Sequence, residues 1–98
     1  MIIVTGSATA SEETFEEMRR ISLEHVGRSR REPGCITHGV YTDCENPLRL
    51  HFFERWTDAK ALNAHFVVPE SRAFARRLRE LAADPGDMSV YEAEKTRA

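Results

Sequence analysis

Two stretches rich in β-forming residues, Cys35 to Asp43 and Leu48 to Trp56, are separated by little more than the turn residues Glu45-Asn46-Pro47. The first alternates and carries Ile36, Val40 and Tyr41; the second carries Leu50, Phe52, Phe53 and Trp56. Two such strands with so short a loop form an antiparallel hairpin. Whatever the chain folds into must be built around that hairpin.

The flanking segments have helical spacing. Upstream, Ile2 to Ala8 reads as a first strand. Ser11 is expected to be an N-cap, with Glu12 and Glu13 in the first turn, where a helix favours negative charge. Phe15, Met18, Ile21 or Ser22, and Val26 follow as an apolar stripe, with Glu16, Glu17, Arg19 and Arg20 off it. This helix is predicted to run to about Arg31, with Gly27 as a weak point, until Pro33-Gly34 turns the chain. Downstream, Asp58 caps a short helix through His65, with Ala59, Leu62 and Phe66 as its apolar face. Pro69 suits the first turn of a further helix on which Phe74, Leu78 and Leu81 lie inside and Arg72, Arg76, Arg77 and Arg79 outside. Asp84-Pro85-Gly86-Asp87 ends it, Met88 to Glu94 reads as a last strand, and Lys95 begins a polar tail.

The order β-α-β-β-α-β predicts an α+β, ferredoxin-like antiparallel sheet with helices on one face, as a single domain over residues 1–98. The other face is expected to carry Ile or Val from the first strand and Phe, Leu and His from the third. Left in water it would expose a sizeable apolar patch, so a homodimer is expected to stack there. A chain of 98 residues also gains much from a second subunit.

A net charge of −2 gives no global attraction to nucleic acid or anionic membrane, and no apolar run approaches the length of a membrane span. The N-terminus does not read as a signal peptide, so a cytoplasmic enzyme or binding module is expected. On a straight strand, Cys35 and Cys44 would lie roughly 30 Å apart, too far for a disulfide. The sequence shows no CxxC pair and no Cys/His cluster, so no zinc site is expected, and no metal unless the hairpin register puts His38 and His51 on one face, where they could bind an anionic substrate or a metal.

Glu32-Pro33-Gly34-Cys35, Asp43, Glu54-Arg55-Trp56-Thr57-Asp58, Leu62-Asn63-Ala64-His65 and Pro69 occur in that order. This ordered set resembles the antibiotic biosynthesis monooxygenase family, which includes quinol monooxygenases. The resemblance implies a dimeric α+β barrel with a pocket between sheet and helices in each subunit. It also implies oxidation of a small aromatic, phenolic or quinol substrate by O2 without cofactor. Phe52 stands where some relatives have an asparagine, and His38 where many have a tyrosine. Ala75 stands where haem-degrading relatives carry a histidine, which argues against haem. The rival reading is a dimeric ligand-binding or stress-related module of the same fold without turnover.

Among candidate site residues, His65 lies three positions beyond Leu62, near the inner face of its helix. A histidine there can act as base or phenolate anchor, or merely tie the helix to a backbone carbonyl. Trp56 can wall an aromatic substrate and donate from its indole, or simply fill the core. Phe52, Phe15 and Phe74 are core residues that can double as pocket wall. Glu54 is expected in a structural ion pair, for instance with an arginine. His38 is a candidate for substrate binding, yet a solvated or interface position is the plainer expectation for both His38 and His51. Whether those two share a face depends on a hairpin register that the turn length leaves open. His25, near the end of the first helix's stripe, is expected only to favour the helix C-terminal half.

Overall fold

Antiparallel pairing organises every strand of the protein. The structure, a computed structural model, describes residues 1–97. Its elements are β1 (Ile2–Ala10), α1 (Phe15–Ser29), β2 (Cys35–Thr42), β3 (Arg49–Trp56), α2 (Ala59–Val67), α3 (Pro69–Leu81), β4 (Ala82–Asp84) and β5 (Met88–Glu92). The sheet order is β2-β3-β1, and the far edge of β1 pairs with both β5 and β4. The result is the expected α+β ferredoxin-like fold, with five strands rather than four because β4 adds a short rung beside Thr9 and Ala10. No helix among the described residues is long and apolar enough to cross a membrane.

The first helix begins later than predicted. Ser11 is not its cap: its carbonyl accepts from Thr14 N and Phe15 N, which folds residues 11–14 into a turn. Thr14 is the N-cap residue, and its hydroxyl donates to the Leu81 carbonyl at 2.9 Å, tying the start of α1 to the end of α3. The first-turn acids are therefore Glu16 and Glu17 rather than Glu12 and Glu13. α1 also stops at Ser29, short of Arg31. Its buried side is Met18, Ser22, His25, Val26 and Ser29, a stripe in which small and polar residues replace aliphatics toward the C-terminal end. α2 starts as predicted, with the Asp58 carboxylate accepting from Ala61 N at 2.8 Å. It buries Leu62 and His65, while Ala59 and Phe66 are exposed.

The hairpin register settles which residues face the helices. His38 pairs with Glu54, Val40 with Phe52 and Tyr41 with His51. A bulge between Cys35 and Thr37 places Cys35 and His38 on one face although they are three residues apart; simple alternation would oppose them. His38 and His51 therefore lie on opposite faces. Leu50 likewise turns toward the helices, with Ala8 and Met18. The uncovered face instead presents Ile3, Thr5, Phe53 and Arg55, with Tyr41 60% and Tyr91 53% exposed. Two apolar clusters pin the layers together: Ala8, Ala10, Met18, Leu50 and Leu81 at one end, and Ile2, Val4, Trp56 and Leu62 at the other.

The Glu32–Cys35 turn docks on α2. Thr57 N donates to the Gly34 carbonyl at 2.9 Å, and Gly34 adopts φ 85°. A Cβ there would collide with the Ala61 Cβ and lie 2.9 Å from Thr57 Oγ1. Gly34→Ala is expected to lower the unfolding free energy by about 1–3 kcal/mol in urea titrations. Gly27→Ala, where a Cβ meets nothing within 4 Å, should leave stability unchanged or raise it by up to about 1 kcal/mol.

Candidate functional site

Between the two apolar clusters the inward face of the sheet turns polar. β3 supplies Glu54 and Trp56, β2 supplies His38, α1 supplies His25 and α2 supplies His65. The three histidine rings form a triangle with centroids 5.3 Å (His25–His38), 5.2 Å (His25–His65) and 5.6 Å (His38–His65) apart. All three are buried. In sequence they are scattered and show no cluster; the fold alone collects them, because β2 lies beneath α1 and β3 runs directly into α2.

Each ring is held differently. His65 Nδ1 is 2.8 Å from Glu32 Oε1. A carboxylate only accepts, so Nδ1 carries a proton, and in the neutral tautomer this contact selects, Nε2 keeps its lone pair. Trp56 packs on the same ring, with centroids 4.7 Å apart. His25 stacks on Phe74 at 4.0 Å and 7°, and its Nδ1 accepts from Arg28 Nη2 at 2.8 Å. His38 Nε2 lies 3.4 Å from Glu54 Oε1, but poorly aligned, and neither ring nitrogen of His38 has a good hydrogen-bond partner among the described residues. The same Glu54 oxygen accepts from Trp56 Nε1 at 2.9 Å.

Charge follows burial here. Desolvation, helped by His38, His65 and Arg28, pushes the pKa of His25 from 6.5 down to about 2, so the ring is neutral at ordinary pH. Burial pulls Glu54 the other way, toward the neutral acid. The interactions with His38, Trp56 and His65 outweigh it, and the carboxyl stays below its usual range. For Cys35, burial and then Glu54 and Glu32 raise the thiol against the pull of Arg30, which disfavours a nucleophilic thiolate. Both cysteines are free.

A cavity of about 460 Å³ opens over this polar patch, under α3 and beside β5. Val4, Gly6, Phe52 and Glu54 form its floor; His25, His65, Phe66, Phe74 and Leu78 its walls; Arg72, Arg79 and Met88 also line it. Of the residues singled out from sequence, His65, Glu54, Phe52 and Phe74 thus come together around one space. Trp56 does not line it: the indole is fully buried, and Glu54 uses its N–H. Phe15 packs instead on the Met18 cluster at the far end. His38 is neither solvated nor at a surface but 2% exposed behind Glu54, and Glu54 pairs with His38 rather than with an arginine. His51 sits on the opposite face, 2.8 Å from Asp43. Sequence reasoning assigned no role to two residues of the site. His25 gave a signal through its place on the α1 stripe, and Glu32 through its place in the tight turn; neither reveals a contact with His65.

A family model described as antibiotic biosynthesis monooxygenase matches residues 1–77. The chain belongs to this family. A crystal structure from Deinococcus radiodurans, assigned provisionally as an antibiotic biosynthesis monooxygenase, superposes with TM-score 0.93 at 25% identity over 100% of this chain and 97% of that one. A conserved Methanosarcina mazei protein gives 0.88 at 25% identity over 95% and 92%. A Mycobacterium tuberculosis protein shares the fold, with 0.89 at 20% identity over 99% and 98%. By sequence, an uncharacterised Synechocystis protein is 32% identical over 95 residues, which is 97% of this chain and 65% of that relative's length.

The buried ring in this member of the family makes stability depend on pH. Below about pH 6.5 the unfolded chain protonates His25, whereas the folded chain resists until about pH 2. The contribution of the neutral ring is therefore whole above 6.5 and is lost progressively as pH falls through that window. The slope reaches up to about 1.4 kcal/mol per pH unit. The lowered Glu54 acts in the same direction at more acid pH, since its contribution is lost as the carboxylate protonates. Urea midpoints are expected to be lower near pH 5 than near pH 7, and His25→Phe, which keeps the stack on Phe74, should shrink the difference.

Proposed function

We propose that the protein is a cofactor-independent monooxygenase that oxidises a small phenol or hydroquinone with O2, the ring itself acting as reductant. One observation carries this reading: an apolar cavity receives a buried histidine whose Nδ1 is held by Glu32, leaving the Nε2 lone pair as the available base. Family membership agrees with an oxidative reaction.

His65 Nε2 takes the proton of the phenolic hydroxyl, and Glu32 stabilises the imidazolium that results. The electron-rich phenolate passes one electron to O2, and the phenoxyl and superoxide radicals combine at a ring carbon. The O–O bond of this peroxide then breaks. One oxygen atom stays on the carbon as a quinone carbonyl. The other leaves as water with the ring hydrogen and the hydroxyl hydrogen. Every electron taken up by O2 comes from the substrate, so no separate reductant enters. Phe52, Phe66 and Phe74 wall the ring and exclude water. Trp56 acts as a positioning residue by orienting Glu54 and packing on His65.

Oxygen uptake with a panel of hydroquinones tests the proposal. His65→Ala is expected to lose about 10²–10⁴-fold in rate. Glu32→Gln should fall between His65→Ala and the native chain, because the glutamine amide cannot offset the imidazolium charge. Background uptake by the native chain across the panel would refute the reading.

The uncovered sheet face is proposed to pack on a second copy, with Phe53 on the inner strand β3 and Tyr41 and Tyr91 on the two edge strands. Phe53→Asp should then shift sedimentation from dimer toward monomer without changing the far-UV circular dichroism.

A further inference from the structure

The histidine triangle has more ligating capacity than a single base requires. We propose that His25, His38 and His65 form a binding site for one divalent transition-metal ion of the zinc class, backed by Glu32 and Glu54. One ligand-capable nitrogen from each ring lies within 4.8 Å of the others. A tetrahedral ion with Zn–N bonds of about 2.0–2.1 Å needs those nitrogens about 3.4 Å apart, so ring rotations of on the order of an ångström complete the site.

Two features beyond proximity point to an ion. The first is His38. Its side chain is 0% exposed; Nε2 lies 3.4 Å from Glu54 Oε1, and Nδ1 has no partner among the described residues. A buried ring nitrogen without a partner is costly, and a cation among the three rings would satisfy it. The second is the backing. His65 Nδ1 donates to Glu32, and His38 Nε2 faces Glu54. A carboxylate behind the non-ligating nitrogen is how metal-binding histidines are oriented and made more basic. This arrangement leaves His65 Nε2 and His38 Nδ1 as the ligating atoms.

Arg28 is the opposing group, since its guanidinium donates to His25 Nδ1 and brings a like charge near the ion. Glu32 and Glu54 offset that charge. For His25 to ligate through Nε2, its proton must leave Nε2 and Nδ1 must take one up as the partly buried Arg28 withdraws. Imidazole ligands suit Zn2+, Cu2+, Ni2+ and Fe2+. The remaining coordination position faces the cavity, to which His25 and His65 are open. A bound ion takes the His65 lone pair, so metal-loaded and base-competent states exclude one another.

The proposal does not rest on the oxidation described above, and its test needs no oxygen uptake. Co2+ is titrated into the metal-free protein and followed by its visible d–d absorption. The expected result is one ion per chain with bands typical of low coordination number. His38→Ala and His25→Phe should each weaken binding at least about tenfold, and Glu32→Gln by about 10–100-fold. Circular dichroism checks that each variant is folded. His51→Ala, which removes the exposed histidine beside Asp43, should bind as the native chain does. Absence of the bands, retention of native affinity in folded Glu32→Gln and His25→Phe, or loss of binding in His51→Ala would overturn the assignment.

Discussion

The hydrogen bond between Glu32 and His65 joins the turn before β2 to the helix after β3, beyond the end of the Cys35–Trp56 strand pairing. Glu32 closes the first helix's connection to β2, and His65 ends the inner face of α2. Their 2.8 Å contact requires the Glu32–Cys35 turn to press onto the start of α2, and the left-handed Gly34 permits that approach. The turn, the Asp58 cap and the Thr57–Gly34 backbone bond thus all serve one end: a histidine with a defined tautomer, buried at the foot of a cavity. Loosening any of these frees the imidazole to rotate away from Glu32.

The fold accepts a polar interior to achieve this. Three histidines and Glu54 lie between sheet and helices, where a purely structural core would place aliphatics, and the apolar clusters divide on either side of them. Buried polar groups destabilise unless they are paired. Most here are paired: Glu32 with His65, Trp56 with Glu54, Arg28 with His25. His38 is not fully satisfied, and neither are the Ser22 and Ser71 hydroxyls, Arg28 Nε and Glu32 Oε2, so this polar interior is less completely paired than an apolar core would be. The family relationship says which fold carries this arrangement; the chemistry has to be argued from the side chains themselves.

Much of the framework was legible in the residues. The hairpin turn, the Asp58 cap, Pro69 at a helix start and the Pro33-Gly34 turn are local signals, and each appears within a residue or two of its expected place. Local reasoning failed where a distant partner competes. Ser11 has the chemistry of a cap, but Thr14 reaches the Leu81 carbonyl and moves the helix start. The three-residue β4 exists only because the end of α3 passes beside β1, a contact that no periodicity records.

The site divides along the same line. Sequence alone determined that His65 belongs on the inner face of its helix, that Glu54 and Phe52 share a strand face, and that Phe74 points inward from α3, because strand and helix periods decide facing one element at a time. Only the tertiary structure decided that His25 and His38 join His65. That depends on a single-residue bulge in β2 and on the packing of α1 over it, and a bulge inverts every following side chain without leaving a mark in the pattern.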